Sequence, residues 1–478
     1  MVEIAVQPSL FDRTLEQVRR AVRELANRRG VRVLDLKPDL PDADRERLLQ
    51  QMRDCLEGKG GEVSARARAA NLGRAFMRLN TDGRHRFLTL MADEFNTDPE
   101  QVNAAMDAVR EATDDRERHA AEVALRDVLR PPRVRLLTQF TGLPEGVKFL
   151  VDLRAELMTW ARKEPILEEL SQDMRRLLST WFDVGFLEMR RMTWDAPASL
   201  LEKLISYEAV HEIQSWDDLK NRLDSDRRCY AFFHPSMPDE PLIFVEIALV
   251  SGIAGNVQEL LDEEQERLDP QVADTAIFYS ISNAQRGLDG ISFGDFLIKR
   301  VVAALSDEFK NLKTFATLSP IPGFGRWYER ELETLGDTIL LDDEAKALAE
   351  ALPEGTEPEA MLHQVLVRSD WAENEALAEA LKPVMSRLVA TYLYTAKRRG
   401  TRTADPVAHF HLSNGARMER LNWLADTSPR GMRQSAGMMI NYLYKLDEID
   451  SNHEGYKGEG TIAVSSTIRN LARKTGNS

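Results

Sequence analysis

The sequence predicts a protein of two domains, the first all-helical and the second an α+β layer on a mostly antiparallel sheet. The chain has 478 residues, enough for more than one domain. Up to about residue 190, apolar residues recur at a spacing of three to four, which is typical of helices packed on a core. Beyond that point, runs rich in β-branched and aromatic residues lie between glycine and proline turns, as strands do.

The overall charge excludes one large class of function. The formal net charge is −15, and no basic tail or arginine-rich stripe interrupts the acidic surface. Because nucleic-acid binding needs clustered cations to neutralise phosphates, we expect no nucleic-acid partner. Anionic membranes are disfavoured for the same reason. An anionic small molecule stays possible, since one pocket can be positive on an acidic protein.

The cysteine content and the start of the chain predict a cytoplasmic location. The two cysteines, Cys55 and Cys229, cannot form a disulfide framework or a four-cysteine zinc site. The first twenty residues lack the basic start and apolar run of a secretory signal. No stretch approaches the roughly 18 uninterrupted apolar residues of a membrane span.

The predicted first domain covers residues 1–188. Helical spacing is clear over residues 11–30, and a second helix begins after Pro41 with its apolar side chains on one face. That face comprises Leu48, Leu49, Met52 and Leu56. No helix of this half carries clustered histidines, cysteines or carboxylates in a ligand-like arrangement. We therefore expect a helical packing or oligomerisation domain.

The predicted second domain covers residues 189–478. Four strands are expected, and a helical insertion is expected at about residues 341–400, where apolar residues keep helical spacing. The strands are Arg228–Pro235, Glu240–Val250, Asp274–Ala284 and Thr314–Pro320. The first two are predicted to form a hairpin. The order of strand pair, strand, glycine turn, helix, strand and helix predicts an α+β layer.

A glycine-containing turn follows the third strand, in QRGLDGISFG. Gly287, Gly290 and Gly294 lie between a strand and a helix. Such a turn can bring backbone N–H groups to a pyrophosphate in front of a helix N-terminus. The spacing is neither that of GxGxxG nor that of a P-loop. From spacing alone, phosphate binding and a plain tight turn both remain open.

The segment HFHLSNG raises a separate question, because His409 and His411 lie two positions apart. On a strand the two rings would face the same side. They could be a metal pair, one catalytic group beside an uninvolved neighbour, or two core histidines. A metal site needs at least one further ligand, and no partner segment presents itself.

The order of elements resembles the acyl-CoA-binding core of the GNAT N-acetyltransferase superfamily, in which the loop after the central strand holds the CoA pyrophosphate. Longer runs closely resemble the malonyl-CoA decarboxylase family over roughly residues 190–460. These are CYAFFHPSMPDEPLIFVEIAL, FYSISNAQRGLDGISFGDFLIKRVV, FATLSPIPGFGRWYE and AHFHLSNGARMERLNWLADTSPRGMRQSAGMMINYLYKLDEI. The helical first half has the layout expected of that family.

The resemblance implies a lyase that converts malonyl-CoA to acetyl-CoA and carbon dioxide without metal or other cofactor. It implies a GNAT-like catalytic domain and a homotetramer, or another homo-oligomer, formed through the helical domain. Ser319 in SPIPGF and His411 before LSNG correspond to the family's catalytic serine and histidine, and Tyr444 corresponds to a tyrosine in the following run. The rival predictions are an acyl-CoA-dependent acyltransferase and a non-catalytic regulator that binds CoA esters.

The resemblance also implies a CoA-binding turn, made of Asp289, Gly290, Ile291, Ser292, Phe293, Gly294 and Asp295. Animal members carry glutamate where Ser292 stands, so no carboxylate role transfers to that position. They carry arginine where His409 stands, which argues against a need for both imidazoles. The chain ends in KTGNS rather than a peroxisomal tripeptide, as expected of a bacterial cytosolic form.

The expected chemistry explains these residue types. Loss of carbon dioxide leaves negative charge on C2 and on the thioester oxygen, which backbone N–H groups of Ser280–Asn283 are expected to stabilise. An imidazole with a pKa of about 6.5 is suited to protonating C2 near neutral pH. Prolines 320 and 322 would hold the Ser319 hydroxyl in place. Asn422 and Asp426 are candidates to support His411.

Overall fold

The structure is a computed structural model that describes residues 34–57, 62–291, 297–352, 361–368, 370–398, 400 and 402–473. The helix predicted over residues 11–30 lies outside these residues. The chain divides into two compact units. The first comprises the chain up to Glu188 together with Phe233–Pro241 and Gln285–Ser292, and the second comprises the rest.

The first unit is helical, and its helices match the predicted spacing. The predicted inward face of the helix after Pro41 is confirmed for Leu48, Leu49 and Met52, which are buried. The helices are α1 Asp42–Leu56, α2 Glu62–Arg78, α3 Thr81–Glu94, α4 Pro99–Glu111, α5 Asp115–Val128, α6 Pro132–Gln139, α7 Gly146–Ala161 and α8 Pro165–Trp181.

The core of the first unit is built on edge-to-face aromatic rings. Phe76 meets Phe87 at 5.1 Å between ring centroids and Phe149 at 5.9 Å, and Phe140 meets Phe149 at 5.3 Å. Helix α7 is buried on most of its surface, as expected of a central helix. By contrast, α4 and α5 contain no buried residue.

The second unit is built on a mixed sheet, and the predicted strands are confirmed. The strands are β1 Glu188–Met192, β2 Arg227–His234, β3 Met237–Val250, β4 Thr275–Asn283, β5 Thr314–Thr317, β6 Ser319–Pro320, β7 Arg417–Asn422 and β8 Met439–Leu443. Their order is β1-β2-β3-β4-β5-β8-β6, and β7 pairs with β8. The hairpin turn is shorter than predicted, because β3 already begins at Met237.

The pairing of β4 is the feature of the sheet that bears on function. It pairs antiparallel with β3 and parallel with β5, and the parallel pairing runs from Thr275–Thr314 to Phe278–Thr317. A parallel pair requires a crossover, and the glycine turn and the helix after it supply one. Among the pairings of the described residues, the sheet is therefore mostly antiparallel with one parallel pair, which agrees with the predicted α+β layer on a mostly antiparallel sheet.

Helices surround the sheet and fill the predicted insertion. They are α9 Ala198–Tyr207, α10 Trp216–Arg222, α11 Val257–Leu261, α12 Leu297–Glu308, α13 Phe324–Leu335, α14 Asp342–Ala351, α15 Met361–Val367, α16 Glu375–Thr395, α17 Pro406–Ser413, α18 Pro429–Ser435, α19 Ile449–Glu459 and α20 Ser466–Arg473. Within the insertion, a buried bidentate pair from Arg387 to Glu344 at 2.6 and 2.8 Å holds α16 against α14. No described helix is long and apolar enough to cross a membrane.

Candidate active site

The histidine pair lies on a helix, and the predicted strand at this segment is wrong. Asp405 caps helix α17 by accepting hydrogen bonds from the N–H groups of Val407 and Ala408. A proline at the first helical position favours this geometry. Because successive residues of a helix are about 100° apart, His409 and His411 point in nearly opposite directions.

Strand alternation places Ser319 on the face of the sheet that meets His411. Leu318 and Ala316 point to the other face, where they belong to a hydrophobic cluster with Val257 of α11. The period of two then puts Thr317 and Ser319 together on the opposite face. The Ser319 hydroxyl donates to Thr317 Oγ1 at 2.8 Å.

The same alternation on β8 brings two tyrosines to the histidine. Met439 and Leu443 face the hydrophobic cluster, so Tyr442 and Tyr444 point away from it. The ring of Tyr442 stacks on His411 with 4.5 Å between centroids and 22° between planes. Tyr444 follows β8 directly, and its hydroxyl lies 2.8 Å from His411 Nδ1.

The structure thus brings together the three predicted catalytic side chains, Ser319, His411 and Tyr444. Ser319 Oγ lies 3.1 Å from His411 Nε2. Because the hydroxyl hydrogen of Ser319 is directed to Thr317, Ser319 Oγ accepts from Nε2–H. The Nδ1 atom then accepts from the Tyr444 hydroxyl, which fixes the tautomer of the ring.

Burial determines the charge of this histidine. The side chain of His411 is buried, and loss of hydration lowers the pKa of its imidazole to about 3. The pKa of His411 therefore lies well below the ordinary imidazole value of about 6.5. A cation without a paired carboxylate is costly in such surroundings, so the ring is neutral at pH 7.

His409 belongs to a different set of contacts. Its Nδ1 atom lies 2.9 Å from the hydroxyl of Tyr456, and its ring is half-buried. Burial, with help from nearby Arg402 and Lys457, lowers its pKa. Across the described residues, no group of three or more His, Cys, Asp or Glu side chains could hold a metal ion.

The predicted CoA-binding turn is described in part. Asp289, Gly290 and Ile291 are described, and Ser292–Asp295 lie outside the described residues. Gly290 has φ +77°, a conformation that favours glycine. A side chain at Gly287 would meet the backbone oxygen of Val151 at 1.8 Å, so only glycine fits that position.

The segment predicted to supply oxyanion donors, Ser280–Asn283, follows the point where the β4–β5 pairing ends. The Ser280 and Ser282 hydroxyls donate to the Glu208 carboxylate at 2.8 to 2.9 Å. That carboxylate also accepts two backbone N–H groups of its own loop. These contacts hold the strand end, while the role of its backbone N–H groups remains a prediction.

Sequence reasoning missed two residues that position this site, Thr317 and Asp405. Asp405 Oδ2 accepts from the Gly323 N–H at 3.1 Å, which links the SPIPGF segment to the histidine helix. The alternation of TFATLS could have identified Thr317, and the Asp-Pro pair before HFH could have identified the cap. The two residues expected to support His411 bond elsewhere: Asn422 donates to Asn441, and Asp426 accepts from the Gln258 amide and from the Ser428 N–H.

Chemically, the arrangement is a short chain of proton donors in dry surroundings. A hydroxyl, an imidazole and a phenol follow one another within hydrogen-bond distance. It can pass a proton to a strong base held near Ser319, and it contains no carboxylate that would make the ring a cation. Such a chain fits proton delivery to a carbanion better than activation of a serine nucleophile.

Comparisons with protein families cover most of the chain. Residues 185–478 match the family model "Malonyl-CoA decarboxylase C-terminal domain", and residues 95–182 match "Malonyl-CoA decarboxylase N-terminal domain". The chain is 38% identical over 419 residues to the mitochondrial malonyl-CoA decarboxylase of Anser anser anser. That alignment covers 84% of this chain and 83% of the relative.

Solved structures agree with these matches. The malonyl-CoA decarboxylase of Rhodopseudomonas palustris superposes with a TM-score of 0.82 at 40% identity, covering 89% of this chain and 99% of the other. The malonyl-CoA decarboxylase of Agrobacterium vitis superposes with a TM-score of 0.78 at 38% identity, covering 90% and 100%.

Proposed function

This chain belongs to the malonyl-CoA decarboxylase family, and on that premise we propose that it converts malonyl-CoA to acetyl-CoA and carbon dioxide. The observation that carries the proposal is the buried trio Ser319, His411 and Tyr444. Ser319 Oγ lies 3.1 Å from His411 Nε2, and the Tyr444 hydroxyl lies 2.8 Å from His411 Nδ1. In a chain of this family, these groups suit protonation of the carbanion that decarboxylation creates.

The reaction needs an electron sink and a proton. The bond between C2 and the carboxyl carbon breaks, and its electron pair spreads over C2 and the thioester oxygen. Backbone N–H groups at Ser280–Asn283 are the proposed donors to that oxygen, each worth roughly 3 kcal/mol by analogy with oxyanion holes. A dry pocket weakens solvation of the departing carboxylate.

The proton comes from neutral His411. A carbanion next to a thioester is a much stronger base than a phenolate, so the donor need not be an imidazolium. Nε2–H passes its proton to C2, either directly or through the Ser319 hydroxyl. Nδ1 takes the proton of Tyr444, and a proton from bulk solvent restores the phenol, so one solvent proton is consumed for each carbon dioxide released. The low pKa of His411 supports this neutral pathway.

Ser319 acts in this scheme as a positioned hydroxyl. Its hydrogen is directed to Thr317 and can turn to the substrate carboxylate when malonyl-CoA binds. Prolines 320 and 322 restrict the backbone at this point. No acylated serine is required, because carbon dioxide departs without nucleophilic attack.

We further propose that no metal or other cofactor takes part and that the protein works in the cytoplasm as a homo-oligomer. The exposed apolar residues of the α4–α5 hairpin support subunit contact through the helical domain. They include Met106 and Val123, which are 37% and 41% exposed. Retained activity after exhaustive chelation is the expected result, and loss that added zinc restores would overturn cofactor independence.

The decisive experiment measures carbon dioxide released from malonyl-CoA alone. The parent is expected to turn over, and His411→Asn is expected to lose at least about 100-fold in kcat while CoA binding persists. His409→Asn is the matched control, because it lies two residues away on the same helix. Near-parental turnover by folded His411→Asn would contradict the proposed role of His411.

The same assay separates the rival functions. An acyl-CoA-dependent acyltransferase would consume acyl-CoA only when an amine acceptor is added. A non-catalytic regulator would bind CoA esters without turnover and would be indifferent to His411→Asn. Neither rival is expected to release carbon dioxide in the absence of an acceptor and to lose that activity in His411→Asn.

A further inference from the structure

Three arginines of the first unit converge beside the part of the glycine turn that is described. Arg154 and Arg162 lie on or just after α7, and Arg175 lies on α8. The side chain of Arg175 comes within 3.7 Å of the position that a Cβ atom on Gly290 would occupy. Helices α7 and α8 thus direct positive charge at the turn.

Arg154 is a buried cation that forms no salt bridge with a described carboxylate, although the nearby carboxylates of Asp289 and Glu168 favour its charged form. Its guanidinium donates to the backbone oxygens of Gly287 at 2.5 Å and Asp289 at 3.0 Å. Those carbonyls satisfy its N–H groups and leave its charge in place. Burial and the neighbouring Arg175 lower its pKa, which indicates that the two cations repel each other. An anion between them would remove that repulsion.

The other two arginines are exposed and make no ion pair or hydrogen bond with a side chain of the described residues. Glu168 lies on the same helix as Arg175, and its carboxylate accepts a hydrogen bond from the side-chain amide of Gln172 instead. An exposed arginine without a side-chain partner keeps the five N–H donors of its guanidinium available for a ligand.

The arginines surround a cavity of about 200 Å³ that is lined by Arg154, Arg162, Arg175, Glu168, Asp289 and Gly290, among others. The lining holds three cations against two carboxylates. Its wall therefore combines fixed charge, unused donors and a glycine without a side chain. This combination is typical of phosphate-binding sites, where arginine forks match phosphate oxygens.

We propose that this cavity of the helical unit is a phosphate site, and that Arg162 and Arg175 bind a phosphate group of CoA there. The inference rests on the proposed function for the identity of the ligand. It gives the helical domain a role beyond subunit contact, because that domain would supply the cations of the CoA site. The 3′-phosphate and the pyrophosphate share the required chemistry.

The experiment is calorimetric titration of the full-length protein with CoA, 3′-dephospho-CoA and pantetheine. Arg162→Gln and Arg175→Gln are each expected to weaken CoA binding about tenfold, the loss of one charge-assisted phosphate contact. Lys163→Gln and Arg176→Gln are the matched controls, since each is the next residue and neither lines the cavity. Arg175→Lys, which keeps the charge, is expected to retain part of the affinity.

The ligand series identifies the phosphate. If the variants weaken CoA but not dephospho-CoA, the 3′-phosphate is bound, and if they weaken both equally, the pyrophosphate is bound. Pantetheine, which has no phosphate, is expected to bind the parent and the variants equally. Unchanged CoA affinity in both glutamine variants, or an equal loss for pantetheine, would overturn the proposal.

A thermal melt of each variant tests whether the substitution destabilises the fold. We expect no change in melting temperature, because both side chains are exposed. The CoA-binding result does not depend on whether the protein decarboxylates malonyl-CoA. If the parent binds CoA through these arginines but releases no carbon dioxide from malonyl-CoA, the proposed function fails and the phosphate site stands.

Discussion

At the residue scale, helix α17 carries two histidines that each contact a tyrosine, and the two pairs can be compared directly. His411 Nδ1 and His409 Nδ1 each lie beside a tyrosine hydroxyl, at 2.8 Å from Tyr444 and 2.9 Å from Tyr456. Only His411 reaches Ser319 as well. The two pairs share a helix, residue types and distances, and they differ in burial and in access to the proposed carbanion.

This comparison predicts the effect of removing each phenol. Tyr444→Phe is expected to lower kcat about 10- to 100-fold with little change in KM, since it removes the group that reprotonates the imidazole. Tyr456→Phe is expected to change kcat less than about threefold. Steady-state kinetics with malonyl-CoA measure both.

A structural role for Tyr444 would give a different pattern. Loss of packing would lower the melting temperature and raise KM along with the fall in kcat. Equal effects of the two phenylalanine variants on kcat would contradict a proton pathway through His411.

At the scale of elements, one carboxylate orients both parts of the site. Asp405 is buried, caps α17, and accepts from the Gly323 N–H and from the hydroxyl of Tyr392. Burial raises its pKa, and the hydrogen bonds that it accepts oppose this rise. The helix that carries His411 and the segment after Ser319 are therefore held by the same side chain.

Asp405→Asn is expected to be costly for this reason. The amide has one oxygen and one NH₂ group, so a donor must face either the helix N-terminus or Gly323. Leaving a buried donor unsatisfied costs about 1–3 kcal/mol, and urea unfolding should show a loss of that size together with reduced kcat. Asp98→Asn, at the exposed cap of α4, should change stability by less than about 0.5 kcal/mol. Similar losses at the two caps would be inconsistent with this role of Asp405.

The same elements show what the sequence can predict. Long runs of β-branched and aromatic residues identified β2 to β5 to within a few residues, because their period agrees with burial in the sheet. HFHLSNG was misassigned to a strand, because a short apolar run has no clear period. The hydrogen bonds that Asp405 accepts at the N-terminus favour a helix there. Ser319, His411 and Tyr444 came from resemblance. Thr317 was missed although strand alternation places it beside Ser319. Arg154 was missed because its contacts with Gly287 and Asp289 are distant in sequence.

At the scale of the whole molecule, the chain passes between its two units several times. It leaves the first unit after Glu188 and returns to it for Phe233–Pro241 and again for Gln285–Ser292. A unit built from separated segments cannot unfold without releasing the segments between them. The boundary predicted at residue 188 is therefore not expected to separate two independently folding halves.

Gly287 offers a test of this cooperativity, because it lies in the last of these segments and touches Val151 of α7. Gly287→Ala would place a Cβ atom 1.8 Å from a backbone oxygen that has no freedom to withdraw, at a cost of about 2 kcal/mol or more. Gly458→Ala is the control, since nothing lies within 4 Å of its Cβ position. We expect one transition in the parent, with coincident circular dichroism and tryptophan fluorescence, which Gly287→Ala shifts as a whole and Gly458→Ala leaves in place. Two separate transitions, of which Gly287→Ala moves only one, would show that the units unfold independently.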